Sequence, residues 1–354
     1  MKIGVVTPYD SSNFGAFLQA YCLKKAIEKM GHEVIHIRNR SDDEAKKLYY
    51  HEKPIGKKEK IMPWKFKNDR EFGKEKYRIF REAQTVFNIK TISDSKADLF
   101  VLGSDEIWNI NQPVFQREIF WGSGLNPVIS YAASIGGADI KKLMQDTKYT
   151  QAIEKMKAVL VRDVQTKKFV ESIGKETEIV CDPTMLIAID KYGEELQDEY
   201  ISKNECLLVY AYYVSKSEKK ILKNYAKAHG LKIVSCCFWH DWCDYQCECG
   251  PLKFSSLIRQ CIAVFTTTFH GSIFSILNHA NFVSVPTSPK TSQLLEQFGL
   301  KNRLLPEKEF SESNLTGILN GEPINYNYVE KKIELIRETS KKKLADAIGS
   351  AHGG

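Results

Sequence analysis

Four side chains in this sequence have types and settings suited to group transfer. His270 stands in the turn Thr266-Thr267-Thr268-Phe269-His270-Gly271, between an apolar run and an apolar-periodic segment. Its imidazole can take or give a proton near neutral pH. Arg162 follows the apolar run Ala158–Val161, where a guanidinium can fork a carboxylate or a phosphate. Lys290 follows Thr287-Ser288-Pro289 and adds a mobile cation. Asp105, in Gly103-Ser104-Asp105-Glu106, is a second acid/base candidate that can equally cap its neighbours. Together they offer two cations, an imidazole able to move a proton and a further carboxyl. A plainer reading stands beside each. A histidine before a glycine suits a cap or a core position, the threonines suit caps, and Arg162 can pair with Asp163 to fix a turn.

Groups of this kind act only when elements bring them together. Ile262–Phe265 is an apolar run that reads as a buried strand, Ser272 to about Asn278 as a helix opened by Gly271, and Phe282–Val285 as a second strand closed by Pro286. This is half of a doubly wound α/β unit. In such sheets ligands bind beyond the carboxyl ends of the strands, where free N–H groups and the positive end of a helix dipole favour an anion. Thr267, Thr268, Gly271 and Ser272 are accordingly expected to line a phosphate site.

The same grammar recurs along the chain. Strand Ile3–Thr7 leads into the polar loop Pro8–Gly15, a helix from about Ala16 to Met30, and strand Glu33–Ile37. Ser12, Asn13 and Gly15 can meet a phosphate or sugar, but the loop is not G-x-G-x-x-G, so a dinucleotide is not indicated. Asp98–Leu102 ends in Gly103-Ser104, and Val128–Ala132 ends near Ser134, each putting small polar groups at a carboxyl edge. Trp108 suits either a sugar platform or a core plug. A helix is expected over Lys141–Met156, strand Glu178–Val180 precedes the turn Cys181–Thr184, and a second αβ unit starts near Asn204 with strand Cys206–Tyr213. The chain closes with a charged helix over about Tyr328–Ala347, expected to pack back on the first unit. The expected division is 1–203, 204–325 and 326–354, two αβ lobes facing across a cleft.

Composition bounds the rest. The chain has 354 residues, 43% hydrophobic and 27% charged, which suits a two-domain globular protein. No apolar run approaches the roughly 20 residues of a membrane span, and the opening MKIGVVTP enters a strand without a signal peptide, so a cytoplasmic protein is expected. The net charge is +7. Much of the excess falls in Lys46–Lys76, including Lys57, Lys58, Lys60, Lys65 and Lys67, within a helical insertion at about 41–95 broken at Pro54 and Pro63. That insertion can serve as a lid or an acceptor platform, and its basic run can touch anionic lipid at a membrane surface or a phosphorylated acceptor. It carries no nucleic-acid module, and no nucleic-acid partner is expected. Six of the nine cysteines fall in Cys236–Cys261. Cys243, Cys247 and Cys249, beside His240, lack the C-x2-C spacing of zinc sites, so a cysteine-rich loop is expected rather than a metal site.

Seven motifs in order give the chain a resemblance over nearly its whole length: N-F-G-A-F-L-Q-A-Y from Asn13, G-S-D-E-I-W-N from Gly103, Y-A-A-S-I-G from Tyr131, V-R-D from Val161, D-P-T from Asp182, F-H-G-S-I-F-S from Phe269, and the Lys290 helix ending F-G-L-K-N-R. The chain resembles the polysaccharide pyruvyl transferase family. The resemblance implies two Rossmann-like lobes like the glycosyltransferase B fold. It also implies transfer of pyruvate from phosphoenolpyruvate onto two hydroxyls of a glycan or lipid-linked sugar as a ketal, with no metal or nucleotide cofactor. Family members tend to carry Arg-x-His before the glycine and N-x-G-D in the first loop; here Thr268 and Ala16 stand at the arginine and aspartate positions. Two other functions stay open: a glycosyltransferase using a nucleotide sugar, and a glycan-binding relative without catalysis.

Overall fold

The computed structural model describes residues 1–50, 67–188 and 193–352. It builds two parallel sheets. The first takes β1 (Lys2–Val6), β2 (Glu33–Ile37), β3 (Ile89–Lys90), β4 (Leu99–Leu102), β5 (Val128–Ala133), β6 (Ala158–Val161) and β7 (Glu178–Ile179) in the order β3-β2-β1-β4-β5-β6-β7. The second takes β8 (Cys206–Tyr210), β9 (Lys232–Cys236), β10 (Tyr245–Cys247), β11 (Ala263–Thr266) and β12 (Phe282–Ser284) in the order β10-β9-β8-β11-β12. The central strands are nearly all apolar because helices cover both faces. The sequence reads as two α/β lobes, and two α/β lobes are what forms.

Strand order fixes where ligands can sit. In the first sheet the winding reverses between β1 and β4, which pair with Val6 opposite Leu102. In the second it reverses between β8 and β11, with Tyr210 opposite Thr266. Chain direction therefore changes side at both places, leaving a crevice beyond the strand ends. The loops that leave these four strands contain Pro8–Asn13, Gly103–Asn109, Ala211–Ser215 and Thr267–Thr268.

Helix α1 (Phe14–Lys29) joins the lobes. Asn13 caps it, its Oδ1 accepting from the Ala16 amide at 2.8 Å, so it starts before the expected Ala16. Phe14 is buried and packs on Phe80, Tyr210 and Phe254 at ring distances of 5.6, 6.1 and 5.1 Å. Residues of both sheets thereby share one apolar core. Helices α2 (Asp42–Tyr50) and α3 (Lys67–Ala83) contribute Tyr49 and Phe80 to that core. The described part of the insertion is thus built into the body of the protein. Pro54, Pro63, Lys57, Lys58, Lys60 and Lys65, and with them much of the expected lid or lipid-contacting run, lie outside the described residues.

Helix α4 (Val164–Ser172) follows β6, α5 (Phe269–Leu277) follows β11, and α6 (Pro289–Gln297) follows β12. The terminal helix α7 (Tyr326–His352) runs from the second lobe to the first: the Tyr326 hydroxyl donates to the Ala280 carbonyl, Arg337 Nε to the Met185 carbonyl, and the Cys181 amide to Ser340 Oγ. Several expected boundaries move. Lys141–Met156 divides into helices Ile140–Gln145 and Thr147–Lys155 because Asp146 caps the second. The strand expected to reach Tyr213 stops at Tyr210, and the cysteine-rich segment supplies β10, whose Cys247 lies opposite Cys236. Among the described residues no helix is long and apolar enough to cross a membrane, and no cluster of His, Cys, Asp and Glu is arranged to hold a metal.

Candidate active site

Asp182 is the hub of the crevice. It caps the short turn Pro183–Met185, with Oδ1 accepting from the Thr184 amide at 3.1 Å and the Thr184 hydroxyl at 2.8 Å. Its Oδ2 accepts from Gln19 Nε2 of α1 at 2.5 Å and from Arg162 Nη1 at 3.1 Å. His270 Nε2 lies 3.8 Å from the same oxygen, too long for a hydrogen bond. Burial alone would raise the pKa of Asp182. His270, Arg162 and Thr184 outweigh burial and hold the carboxyl well below the usual range. One carboxylate thus joins a group from α1, the end of β6 and the start of α5.

Arg162 is buried among carboxylates and is bonded to Asp182, so the plainer alternative, a turn-fixing pair with Asp163, does not form. Asp163 instead caps α4, accepting from the Thr166 amide and from the Ser134 hydroxyl at 2.6 Å. Burial disfavours the guanidinium charge, but Asp105, Asp182, Glu106 and Asp163 together raise its pKa. Nη2 lies 3.7 Å from Asp105 Oδ1 and has no hydrogen-bond partner among the described residues. The guanidinium also lies over the Phe269 ring at 5.2 Å, and Lys290 Nζ lies at 5.2 Å from the same ring. Lys290 is bonded to Glu106, whose other oxygen accepts from Asn109 Nδ2. For Glu106 too, burial is outweighed, chiefly by Lys290, and the pKa is lowered.

The glycines explain how the chain comes so close. A Cβ on Gly15 would stand 2.2 Å from the His270 ring, so the N-F-G of α1 is the surface on which the imidazole rests. A Cβ on Gly103, at φ +127°, would stand 2.1 Å from the Tyr131 carbonyl oxygen. Asp105 follows at φ +78°, a costly conformation for a side-chain-bearing residue, and its carbonyl accepts from the Ser134 amide.

The structure redistributes the expected phosphate ligands. Helix α5 begins at Phe269, because Thr268 is its cap and accepts from the Gly271 amide at 2.9 Å. Gly271 therefore does not open the helix. It lets the turn pass the Thr266 hydroxyl, which a Cβ would approach to 2.0 Å. Ser272 is buried and bonds the Thr268 carbonyl and Ser284. Thr267 is buried, its carbonyl holding the Thr287 hydroxyl. Ser134 is occupied by Asp163 and the Gly136 amide. Gly103 and Gly271 are thus packing glycines, and Thr268, Ser272 and Ser134 are occupied within the protein. Ser104 Oγ, beside Asp105, is buried without a partner among the described residues. The Ser12 carbonyl accepts from Cys237, and Asn13 is the α1 cap. Trp108 is fully buried and donates to the Phe120 carbonyl, which makes it a core plug.

Two clefts flank this cluster. One, of about 730 Å³, is lined by Arg162, Asp182, Phe269 and Lys290 beside Gln293 and α7. The other, of about 670 Å³, exposes Asp105, Glu106, Asn13 and Tyr212. Lys290 borders both. His270 lines neither and stands between Gly15 and Asp182, its side chain 14% exposed. A larger cavity of about 980 Å³ between Trp121 and Tyr149 holds none of the candidate groups, and size alone does not make it the site.

The sequence model of the polysaccharide pyruvyl transferase family matches residues 13–289, from the α1 cap to the first residue of α6. The chain belongs to the polysaccharide pyruvyl transferase family. The match spans Gln19, Asp105, Arg162, Asp182 and His270, so the whole Asp182 hub lies within the pyruvyl transferase region. No curated protein matches the sequence. Among solved structures, the chain is similar to a putative UDP-N-acetylglucosamine 2-epimerase from Listeria monocytogenes (11% identity, 99% of this chain and 96% of that one, TM-score 0.55). It is also similar to the UDP-GlcNAc 2-epimerase from Neisseria meningitidis bound to UDP-GlcNAc (11% identity, 98% and 99%, TM-score 0.55). A third is the Methanocaldococcus jannaschii UDP-GlcNAc 2-epimerase in complex with UDP-GlcNAc and UDP (12% identity, 96% and 100%, TM-score 0.51). At such identity the likeness concerns fold alone: two Rossmann-like lobes of the glycosyltransferase B kind.

Proposed function

We propose that this pyruvyl transferase family member moves the pyruvyl group of phosphoenolpyruvate onto two hydroxyls of a glycan, forming a cyclic ketal. The observation that carries the reading is the buried Arg162–Asp182–His270 cluster, in which Arg162 Nη2 and His270 Nε2 both lack hydrogen-bond partners among the described residues. An unpaired guanidinium nitrogen suits a carboxylate or phosphate oxygen. Lys290, 5.2 Å from the Phe269 ring on which Arg162 also lies, supplies the second cation that a donor with both groups requires. Each cation is held by a carboxylate at rest, so donor binding has to draw Lys290 away from Glu106.

The reaction balances without a redox partner. A proton adds to the methylene carbon of the enol, and the oxygen of one sugar hydroxyl bonds to C2. The C2–O bond to phosphate breaks with its electron pair leaving on phosphate, and the second hydroxyl closes the ketal at C2. Two hydroxyl protons are lost; one balances the new methyl group and one the released phosphate. His270 carries a hydroxyl proton, a role worth roughly 10²–10⁴-fold in rate. Asp182 sets the ring's orientation, the 3.8 Å gap shortening when donor occupies Arg162. Asp105 stands 3.7 Å from Arg162 as an auxiliary acid or base.

The test is a ligand-induced thermal shift. Phosphoenolpyruvate at 100 times its dissociation constant should add about 2.7 kcal/mol of stability, and Arg162→Lys should lose most of that shift. A shift with uridine diphosphate sugars and none with phosphoenolpyruvate would move the protein to glycosyl transfer, the reaction class that Thr268 in place of arginine leaves open.

A further inference from the structure

Tyr212 is out of keeping with the rest of the crevice. It follows β8, the strand at the second sheet's switch point, yet it is 63% exposed. Its ring is braced on Phe238 at 4.4 Å and lines the cleft of about 670 Å³ that also exposes Asp105 and Glu106. Side-chain amides from the loop after β4 line the same cleft: Asn109, Asn111 and Gln112. Ser288 adds a hydroxyl from the second lobe. The volume lies within the roughly 300–1,000 Å³ of small-ligand sites.

An exposed aromatic face opposite amides and hydroxyls has a definite ligand chemistry. The flat C–H face of a pyranose packs on an aromatic ring, while amides pair with hydroxyls through both donors and acceptors. The cations of this wall are already paired, Arg40 with Asp10 and Lys290 with Glu106, and Asp105 adds a further carboxylate, so an uncharged polyol fits better than an anion. The other cleft, about 730 Å³, is lined by Arg162 and Lys290 and suits the anionic donor.

We propose that the Tyr212 cleft is the acceptor site, that Tyr212 is the platform on which the receiving sugar ring stacks, and that Asn111 and Gln112 select the sugar by its hydroxyls. This rests on the pyruvyl-transfer reading for the meaning of "acceptor", but sugar binding at Tyr212 is separable from donor binding at Arg162. The Lys290–Glu106 contact is then the partition between donor and acceptor chambers, since Lys290 borders both.

The experiment is a printed glycan array probed with the full chain, tetramerised on streptavidin, with phosphoenolpyruvate left out so that no bound acceptor is converted. The variants are Tyr212→Ala, Tyr212→Trp and, as an exposed control outside the cleft, Tyr213→Ala; Tyr213 is 73% exposed. The expected result is a defined set of glycans bound by the parent, lost roughly tenfold or more in Tyr212→Ala and kept in Tyr212→Trp and Tyr213→Ala. Equal binding by Tyr212→Ala and parent would overturn the proposal, and so would an array on which the parent retains no glycan. The phosphoenolpyruvate thermal shift of Tyr212→Ala should equal that of the parent. Glycan binding through Tyr212 without any such shift would defeat the donor reading and leave the sugar platform standing.

Discussion

Gly15→Ala tests the packing that makes the site. The new methyl would begin 2.2 Å from the His270 ring, and ordinary contact needs 3.4 Å, so the ring must retreat by at least about 1.2 Å. The helix itself gains from the change, because alanine in a helix is favoured over glycine by about 1 kcal/mol. Overpacking costs about 1–3 kcal/mol. Net stability should therefore change by no more than about 2 kcal/mol, and the protein should stay folded. A displacement of this size in a proton-transferring group costs about 10²-fold in rate. The assay is transfer of pyruvyl to glycan, followed by phosphate release, beside urea unfolding of the same samples. The double variant Gly15→Ala/His270→Ala decides the cause. If Gly15 acts through the imidazole, it adds nothing to the loss already caused by His270→Ala. Full activity in Gly15→Ala, or losses that multiply in the double variant, would refute the reasoning.

Asp182→Asn should change the acid response. The carboxyl titrates below its unfolded value of about 3.9, so its contribution is complete above that pH and is lost as pH falls toward the folded value. The parent should lose up to about 1.4 kcal/mol per pH unit from this group below about pH 4, and urea midpoints at pH 7 and pH 3 should fall less in the variant; identical falls would remove Asp182 from the account. Glu106→Gln releases Lys290 and should tighten phosphoenolpyruvate binding by about 2–10-fold in a calorimetric titration, whereas weaker binding would show that Glu106 itself serves the donor. Phe14→Ala removes the ring packed against Phe80, Tyr210 and Phe254 and should cost about 3–5 kcal/mol in urea unfolding; a loss below 1 kcal/mol would mean that the lobes are not held by this seam.

Much of the architecture was open to reading in the sequence, because buried parallel strands are continuous apolar runs and Gly31, Gly230 and Gly299 mark helix ends. Arg162, His270 and Lys290 stand at strand ends and helix starts, where an α/β sheet puts its ligands, and the structure brings them to one crevice. Asp182 was read only as a turn and motif residue, and Gln19 and Phe269 only as parts of motifs. Their importance lies in contacts across 163 residues in one case and between lobes in the others, which periodicity does not encode. The glycines near the site carry a different lesson. Gly15 and Gly271 looked like backbone for a phosphate or sugar to approach and Gly103 like part of a functional strand edge, and the structure fills the space at each with the protein's own His270, Thr266 or Tyr131 respectively. The threonine run misled for a related reason: Thr268 offers its hydroxyl to α5 itself, moving the helix start three residues earlier than Ser272 suggested.

The central claim is that Arg162 receives the donor's anion in a crevice built around Asp182. Calorimetric titration of phosphoenolpyruvate into the parent and into Arg162→Lys tests it most directly. A charge-assisted bond is worth about 1.5–3 kcal/mol, so the account predicts saturable one-site binding that weakens about 10–150-fold in a variant that remains folded by circular dichroism. Equal affinity in parent and variant, or no binding of phosphoenolpyruvate to the parent, would contradict it.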